Sequence, residues 1–258
     1  MIILLISFYI LICLFLYFAQ ERFIFFPEKL DREFHFSFNT RFEEISIRTR
    51  DNKLLSALLF KAGRPKGLIF YLHGNGGSVN SWAGVADTYT ALNYDVLLLD
   101  YRGYGKSEGS IESEEQFFND IQIAYDEMKK RYTEDKIVVL GYSIGTGPAT
   151  KLASDNDPRM LILQAPYYSL TDMMKHRFPL IPRLFLKYRF PTNELIGRCK
   201  MPVVIFHGDK DEVIYYGSSE KLKKLMKPAD RLITLEGQGH NGITENPVYK
   251  QALAKILE

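Results

Sequence analysis

The chain has 258 residues, enough for one large α/β domain with a full core and an appendage. Its 33 basic and 31 acidic residues leave a net charge of +2, which carries no global signature of nucleic-acid binding. The two cysteines, Cys13 and Cys199, indicate neither a disulfide framework nor a Cys-based metal site, and no His or carboxylate cluster has metal-ligand spacing, so no metal or cofactor is expected.

From Ile2 to Ala19 the chain carries no charge, and Ser7 is the only clearly polar side chain. Eighteen residues rise about 27 Å as a helix, close to the roughly 30 Å of a bilayer core. A cleaved signal peptide has a basic start, a shorter apolar stretch and small residues before the cut. Here nothing basic precedes the run, Tyr17 would stand at −3 for a cut after Ala19, and bulky Ile12 before Cys13 speaks against a lipoprotein signal. The reading is an uncleaved anchor over residues 1–20. Arg22, Lys29 and Arg32 follow it, so the charge bias puts the domain on the cytoplasmic side.

Residues 21–42 read as a juxtamembrane linker, with aromatic rings that suit either a membrane interface or packing on the domain. The remainder, 43–258, reads as one α/β domain. Short β-like segments cover Glu44–Arg50, Leu54–Lys61 and Gly67–Leu72, and strands and helices then alternate. Strands are expected at 95–101, 136–142, 160–166, 201–208 and 231–237. Helices are expected at 112–132, 144–154, 217–227 and 246–257. In the first helix the apolar residues Phe117, Phe118, Ile121, Ala124, Tyr125 and Met128 recur mostly at intervals of three and four. Unbroken apolar strands between helices imply a mostly parallel sheet covered on both faces. Residues 167–200 break the rhythm with three prolines and many large apolar side chains, and read as a cap insertion. From Asp172 to Lys200 the cap holds seven Lys or Arg against two acidic residues.

The stretch "VLGYSIGTGP" (139–148) places Ser143 between Gly141 and Gly145, directly after a strand. A sharp strand-to-helix turn crowds the neighbours of its corner residue, and glycine relieves that crowding. The bland alternative is a capping serine at a glycine-rich helix start. A nucleophilic serine needs a base, and the base an orienting carboxylate. Of the five histidines, His35 falls in the linker, His73 and His207 end strands, and His176 lies in the cap. His240 sits in "EGQGHNG", a glycine-rich loop after the last strand, which can swing an imidazole over the strand ends. "FHGDKDEV" (206–213) offers Asp209 and Asp211. Asp211 is favoured as the orienting carboxylate, with Asp209 capping the turn and Asp172 as an outside candidate. The resulting chain order Ser, Asp, His is that of the α/β-hydrolase fold. "YLHGNGGS" (71–78) supplies the fourth element, with the backbone N–H groups of Asn75 and Ile144 as expected oxyanion donors. "DYRGYGKS" ends like a phosphate loop, but Asp100 stands where that motif needs glycine; Asp100 and Arg102 read as structural.

Together "YLHGNGGS", "LLLDYRGYGKSEG", "VVLGYSIGTG", "PVVIFHGDKDEVI" and "GQGHNGI" closely resemble the membrane-anchored α/β-hydrolase-domain-containing serine hydrolases over residues 44–258. The resemblance implies hydrolysis of monoacylglycerols, lysophospholipids or S-acyl thioesters, and maps the triad onto Ser143, Asp211 and His240. Thr146 departs from the pattern, standing where many relatives carry a second glycine. The expected function is a membrane-tethered serine hydrolase acting on acyl esters or thioesters, with membrane lipid as partner and no nucleic acid. The alternatives are a peptidase or amidase of the same fold, and a catalytically inactive membrane-bound binding module.

Overall fold

The apolar runs that break no alternation, Ile137–Tyr142 and Val203–Gly208, are buried along their whole length, as strands covered on both faces must be. The computed structural model describes residues 1–258 and joins eight strands into one sheet. They are β1 (Phe42–Arg48), β2 (Leu54–Phe60), β3 (Gly67–Leu72), β4 (Tyr94–Leu99), β5 (Ile137–Tyr142), β6 (Met160–Gln164), β7 (Val203–Gly208) and β8 (Arg231–Leu235). Their spatial order is β8-β7-β6-β5-β3-β4-β2-β1. Only β2 runs against its neighbours; every other pairing is parallel. The strands that carry the catalytic candidates therefore end on one edge.

Helices cover both faces. The long apolar helix α1 (Ile2–Ile24) precedes the sheet, and α2 (Ala86–Thr90), α3 (Glu114–Lys129), α4 (Thr146–Asp155), α5 (Leu170–Arg177), α6 (Gly217–Lys223) and α7 (Pro247–Leu257) follow within it. On one face Phe117, Ile121 and Tyr125 of α3, Leu152 of α4 and Leu222 of α6 meet Phe70, Val139, Leu163 and Ile205. On the other, Tyr89 of α2 and Tyr249 and Leu253 of α7 meet Tyr71, Leu140, Ile162 and Phe206. Helix α3 starts where Ser113 accepts a hydrogen bond from the Gln116 N–H, satisfying one of its orphan donors. The chain from Val79 to Thr90 is also helical, in three short pieces, although its small and polar residues give no clear period.

The α/β-hydrolase fold is thus as expected, and most elements begin and end within about two residues of the sequence reading. Residues 167–200, expected as a cap, include α5, a turn at Arg183–Phe185 and a short helix at Thr192–Leu195. Helix α1 continues to Ile24, five residues past the end of the apolar run. Phe34, Phe36, Phe38 and Phe42 then pack around Phe60 and one another on the second face, mostly edge-on or tilted. Of the two environments open to the linker aromatics, these four take the protein surface rather than a membrane interface.

Candidate active site

Strand β5 ends at Tyr142, and Ser143 turns the chain into α4 with φ of 52°. A left-handed backbone is costly for a residue bearing a Cβ and persists only when the surroundings impose it. The flanking glycines show what imposes it. A Cβ on Gly141 would lie 2.5 Å from the Gly145 oxygen, and one on Gly145 would lie 2.2 Å from the Leu72 oxygen. The turn after β5 is therefore pressed against the end of β3 as closely as backbones allow. Thr146, the departure from the family pattern, donates through Oγ1 to the Ser143 carbonyl at 2.7 Å. Tyr167 braces the next residues, donating to the Ile144 carbonyl and accepting from the Gly147 N–H, both at 3.0 Å.

The loop after β8 brings His240 Nε2 to 3.0 Å from Ser143 Oγ, and His240 Nδ1 to 2.7 Å from Asp211 Oδ2. A proton on Nδ1, donated to the carboxylate, leaves Nε2 free to accept the serine hydroxyl. Tyr142 holds the loop by donating to the His240 carbonyl at 2.6 Å. Asp211 is itself fixed: its Oδ1 accepts the Val213 and Ile214 N–H groups, each at 2.8 Å. Burial opposes its ionisation, but hydrogen bonds from His207 and His240 and the charge of His240 outweigh that effect and hold its carboxyl well below the usual range. Asp209 accepts the Gly237 N–H at 2.7 Å and makes no contact with His240. Asp172 lies in the cap, bound to Tyr215 and Lys221.

Residues 63–195 match the family model described as serine aminopeptidase, S33. The chain belongs to this family of α/β hydrolases. Among its relatives are protein bem46 of Schizosaccharomyces pombe, 35% identical over 189 residues, and the alpha/beta hydrolase domain-containing protein 17C of Xenopus tropicalis, 30% identical over 195 residues. These alignments cover 69% and 73% of this chain, but only 63% and 61% of the relatives' own length. In three dimensions the hydrolase resembles an esterase of Pyrococcus furiosus, with a TM-score of 0.71, 19% identity, and 91% of this chain and 96% of that one covered. A CIB-like hydrolase of Thermoplasma acidophilum aligns with a TM-score of 0.63 at 17% identity, over 85% and 99% of the two chains. At such identities the likeness concerns the fold.

The remaining expected residues of this hydrolase lie beside the same turn. Ile144 follows Ser143 directly, and Asn75 sits in the loop leaving β3, the strand next to β5. The Asn75 N–H donates to no group within the protein. Two further histidines surround the site. His207 is fully buried; its Nε2 lies 3.1 Å from Asp211 Oδ2 and 3.0 Å from the Ile214 oxygen, and its Nδ1 lies 2.6 Å from Ser219 Oγ. It therefore donates to the same carboxylate oxygen as His240. In the sequence His207 stands out only as a strand end, and its spacing of four residues from Asp211 is the one signal of this contact. His73 is also fully buried, with Nε2 3.9 Å from Asp100 Oδ1, too far to be a hydrogen bond. Burial lowers His73 to about 4 and raises Asp100 to about 7. Asp100 accepts the Val79 N–H at 2.8 Å, and Arg102 clamps Asp120 and Asp51, so both are structural as expected.

Proposed function

We propose that this hydrolase is a membrane-anchored serine enzyme that cleaves carboxylic esters or thioesters of acyl amphiphiles. Ser143 is the nucleophile, His240 the general base and Asp211 its orienting carboxylate. The observation that carries this reading is the unbroken line of contacts from Asp211 Oδ2 through both nitrogens of His240 to Ser143 Oγ, at 2.7 and 3.0 Å. Ser143 Oγ attacks the acyl carbon while its proton passes to Nε2. The oxyanion so formed faces the N–H groups of Asn75 and Ile144. Collapse of the tetrahedral intermediate breaks the bond to the alcohol or thiol, which leaves with the Nε2 proton. Water then repeats the sequence on the acyl-enzyme, giving its proton to Nε2, releasing the acid and restoring the serine hydroxyl.

Three features support a substrate in or near a bilayer. Helix α1 has a mean hydropathy of 2.8 over its most apolar window, of which 6% is buried. Arg22 in its last turn and Lys29 and Arg32 beyond it favour a cytoplasmic domain. The cap also lies along this helix: Tyr9 donates to the Leu180 oxygen at 2.5 Å and Gln20 Nε2 to the Phe185 oxygen at 2.7 Å. Those two contacts are roughly 16 Å apart along the helix axis, at 1.5 Å per residue. The cap tip exposes Phe178, Leu180 and Leu184 by 57%, 82% and 74% beside the apolar span. Lys175, Arg177, Arg183 and Arg189 stay exposed around it, whereas Lys187 is taken up by Glu21. Basic side chains near an anionic surface contribute roughly 1 kcal/mol each.

A fluorophosphonate probe should label the wild-type protein, and Ser143→Ala should abolish labelling and, as in a serine protease, lower kcat by about a millionfold. Retained labelling in that variant would remove Ser143 as the nucleophile. Across a series from acetyl to long-chain monoacyl esters, kcat/KM should rise with chain length, and an aminoacyl anilide should be the poorest substrate. An anilide turned over best would favour the amidase reading that the family description suggests. Acetyl esters turned over best would end the amphiphile reading and leave the serine hydrolase.

A further inference from the structure

The segment between the apolar helix and the domain lies against the loop that carries Asn75. Phe26 and Pro27 pair in parallel with Gly76 and Gly77. The Phe26 N–H donates to the Asn75 oxygen at 2.8 Å, and the Glu28 N–H to the Gly77 oxygen at 2.9 Å. Asn75 Nδ2 donates to the Ile24 oxygen at 3.2 Å, and Ser78 Oγ to Glu28 Oε2 at 2.7 Å. The outer side of the segment is held as well. The Gly105 N–H donates to the Glu28 oxygen at 2.8 Å, and the Leu30 N–H to the Gly105 oxygen at 3.0 Å. Phe25, near its start, is buried between Phe117 and Tyr188.

This segment is thus a strand-like layer between the loop after β3 and the loop after β4. The loop after β3 has no regular structure of its own to fix residues 75–77, and Gly77 there takes φ of 87°. The Gly77 carbonyl accepts from the Glu28 N–H, and the Asn75 carbonyl, in the peptide plane that follows the Asn75 N–H, accepts from the Phe26 N–H and from the Tyr104 hydroxyl at 2.7 Å. An oxyanion donor acts through being held in place before the reaction, so whatever aims the Asn75 N–H shares in its effect.

We infer that residues Ile24–Leu30 are a positioning element of the oxyanion hole, so that the chain emerging from the anchor completes the active site instead of tethering a self-sufficient domain. The inference rests on the serine hydrolase reading above and on Asn75 as an oxyanion donor. The same end of α1 is fixed to the cap, where Gln20 Oε1 accepts the Lys187 N–H at 2.8 Å and Glu21 accepts from Tyr188 at 2.9 Å. Anchor, cap and oxyanion loop are held as one unit through some ten residues.

The test uses the full chain in nanodiscs. Phe26→Pro removes the N–H that binds the Asn75 oxygen, while Phe26→Ala removes only a side chain that is 53% exposed. Phe26→Pro should lower kcat by about tenfold to a hundredfold, less than the roughly hundredfold to thousandfold for outright loss of one oxyanion donor, because the Asn75 N–H is misaimed and not removed. KM and the pH profile should stay unchanged, and Phe26→Ala should behave as wild type. A trifluoromethyl ketone, which forms a tetrahedral adduct on the serine, should lose affinity by the same factor as kcat/KM. Should Phe26→Pro fail to fold, Glu28→Ala against Glu28→Gln repeats the comparison, since only the amide keeps an acceptor for Ser78; the expected loss is several-fold in kcat for the alanine alone. Equal kcat and equal ketone affinity within each pair, with the wild type labelled by fluorophosphonate, would overturn the positioning role and leave the hydrolase reading standing. A wild type that neither labels nor turns over any ester would overturn both.

Discussion

Two His–Asp pairs stand within the same end of this sheet and do opposite things. His240 and Asp211 are joined by a 2.7 Å hydrogen bond, and the carboxylate accepts two backbone N–H groups besides. His73 and Asp100 are 3.9 Å apart in a fully buried pocket, where His73 Nε2 and Asp100 Oδ2 have no hydrogen-bond partner. The first environment supplies donors to the charged carboxylate and drives its pKa down. In the second, burial dominates both groups and drives each toward its neutral form. Residue identity alone does not make a base and its orienting acid. The number of donors facing the carboxylate does.

The sharpest way to break this contrast is Asp211→Asn. If Asp211 orients His240, the amide presents the wrong partner to Nδ1, and kcat should fall about 10⁴-fold, as in the serine-protease template, with the fold retained by circular dichroism. The matching change, Asp100→Asn, should keep fluorophosphonate labelling within a few-fold of wild type. Should Asp100→Asn be the more damaging of the two for labelling, the roles of the pairs are misassigned.

Stability against pH gives a second, smaller contrast. Asp100 is raised in the folded protein to about 7 from an unfolded value of about 3.9. The folded state therefore holds the extra proton between these values, and wild-type stability contributed by Asp100 is present below about pH 4 and lost as pH rises through about 7. The urea stability of Asp100→Asn minus that of wild type should rise by about 1.4 kcal/mol per pH unit across that window. For Asp211 the folded pKa is depressed, so its contribution is present above about pH 4 and lost only below it. The Asp211 carboxyl itself therefore adds no slope to the corresponding difference for Asp211→Asn between about pH 5 and about pH 8. A flat response for Asp100→Asn would mean that the pocket does not keep that carboxyl neutral.

The smallest effect is expected at Asp209. It is exposed and accepts one N–H, which an amide oxygen also accepts, so Asp209→Asn should change stability by about 0.5 kcal/mol or less and leave kcat near wild type. A larger loss of activity there than for Asp211→Asn would exchange the two aspartates.

Much of this arrangement was readable in one dimension because it rests on short-range chemistry. The unbroken apolar strands, the three-and-four spacing of α3 and the glycines around Ser143 each report a local constraint, and the family motifs add their order. Ser143, Asp211 and His240 could be named for that reason, although they are 68 and 29 residues apart in sequence. What no local pattern could decide was the company these residues keep. That His207 donates to the same oxygen as His240, that Asp100 is buried without a full set of partners, and that Phe26 and Glu28 bind the loop of Asn75 all depend on segments meeting across the sheet. The linker shows the difference most plainly. Its aromatics fit a membrane interface and a protein surface equally well by composition, because both bury rings and leave an edge polar. Only the tertiary structure supplies the Phe60 and Phe117 surfaces and the carbonyls of residues 75 and 77 that accept from this stretch and hold it on the domain.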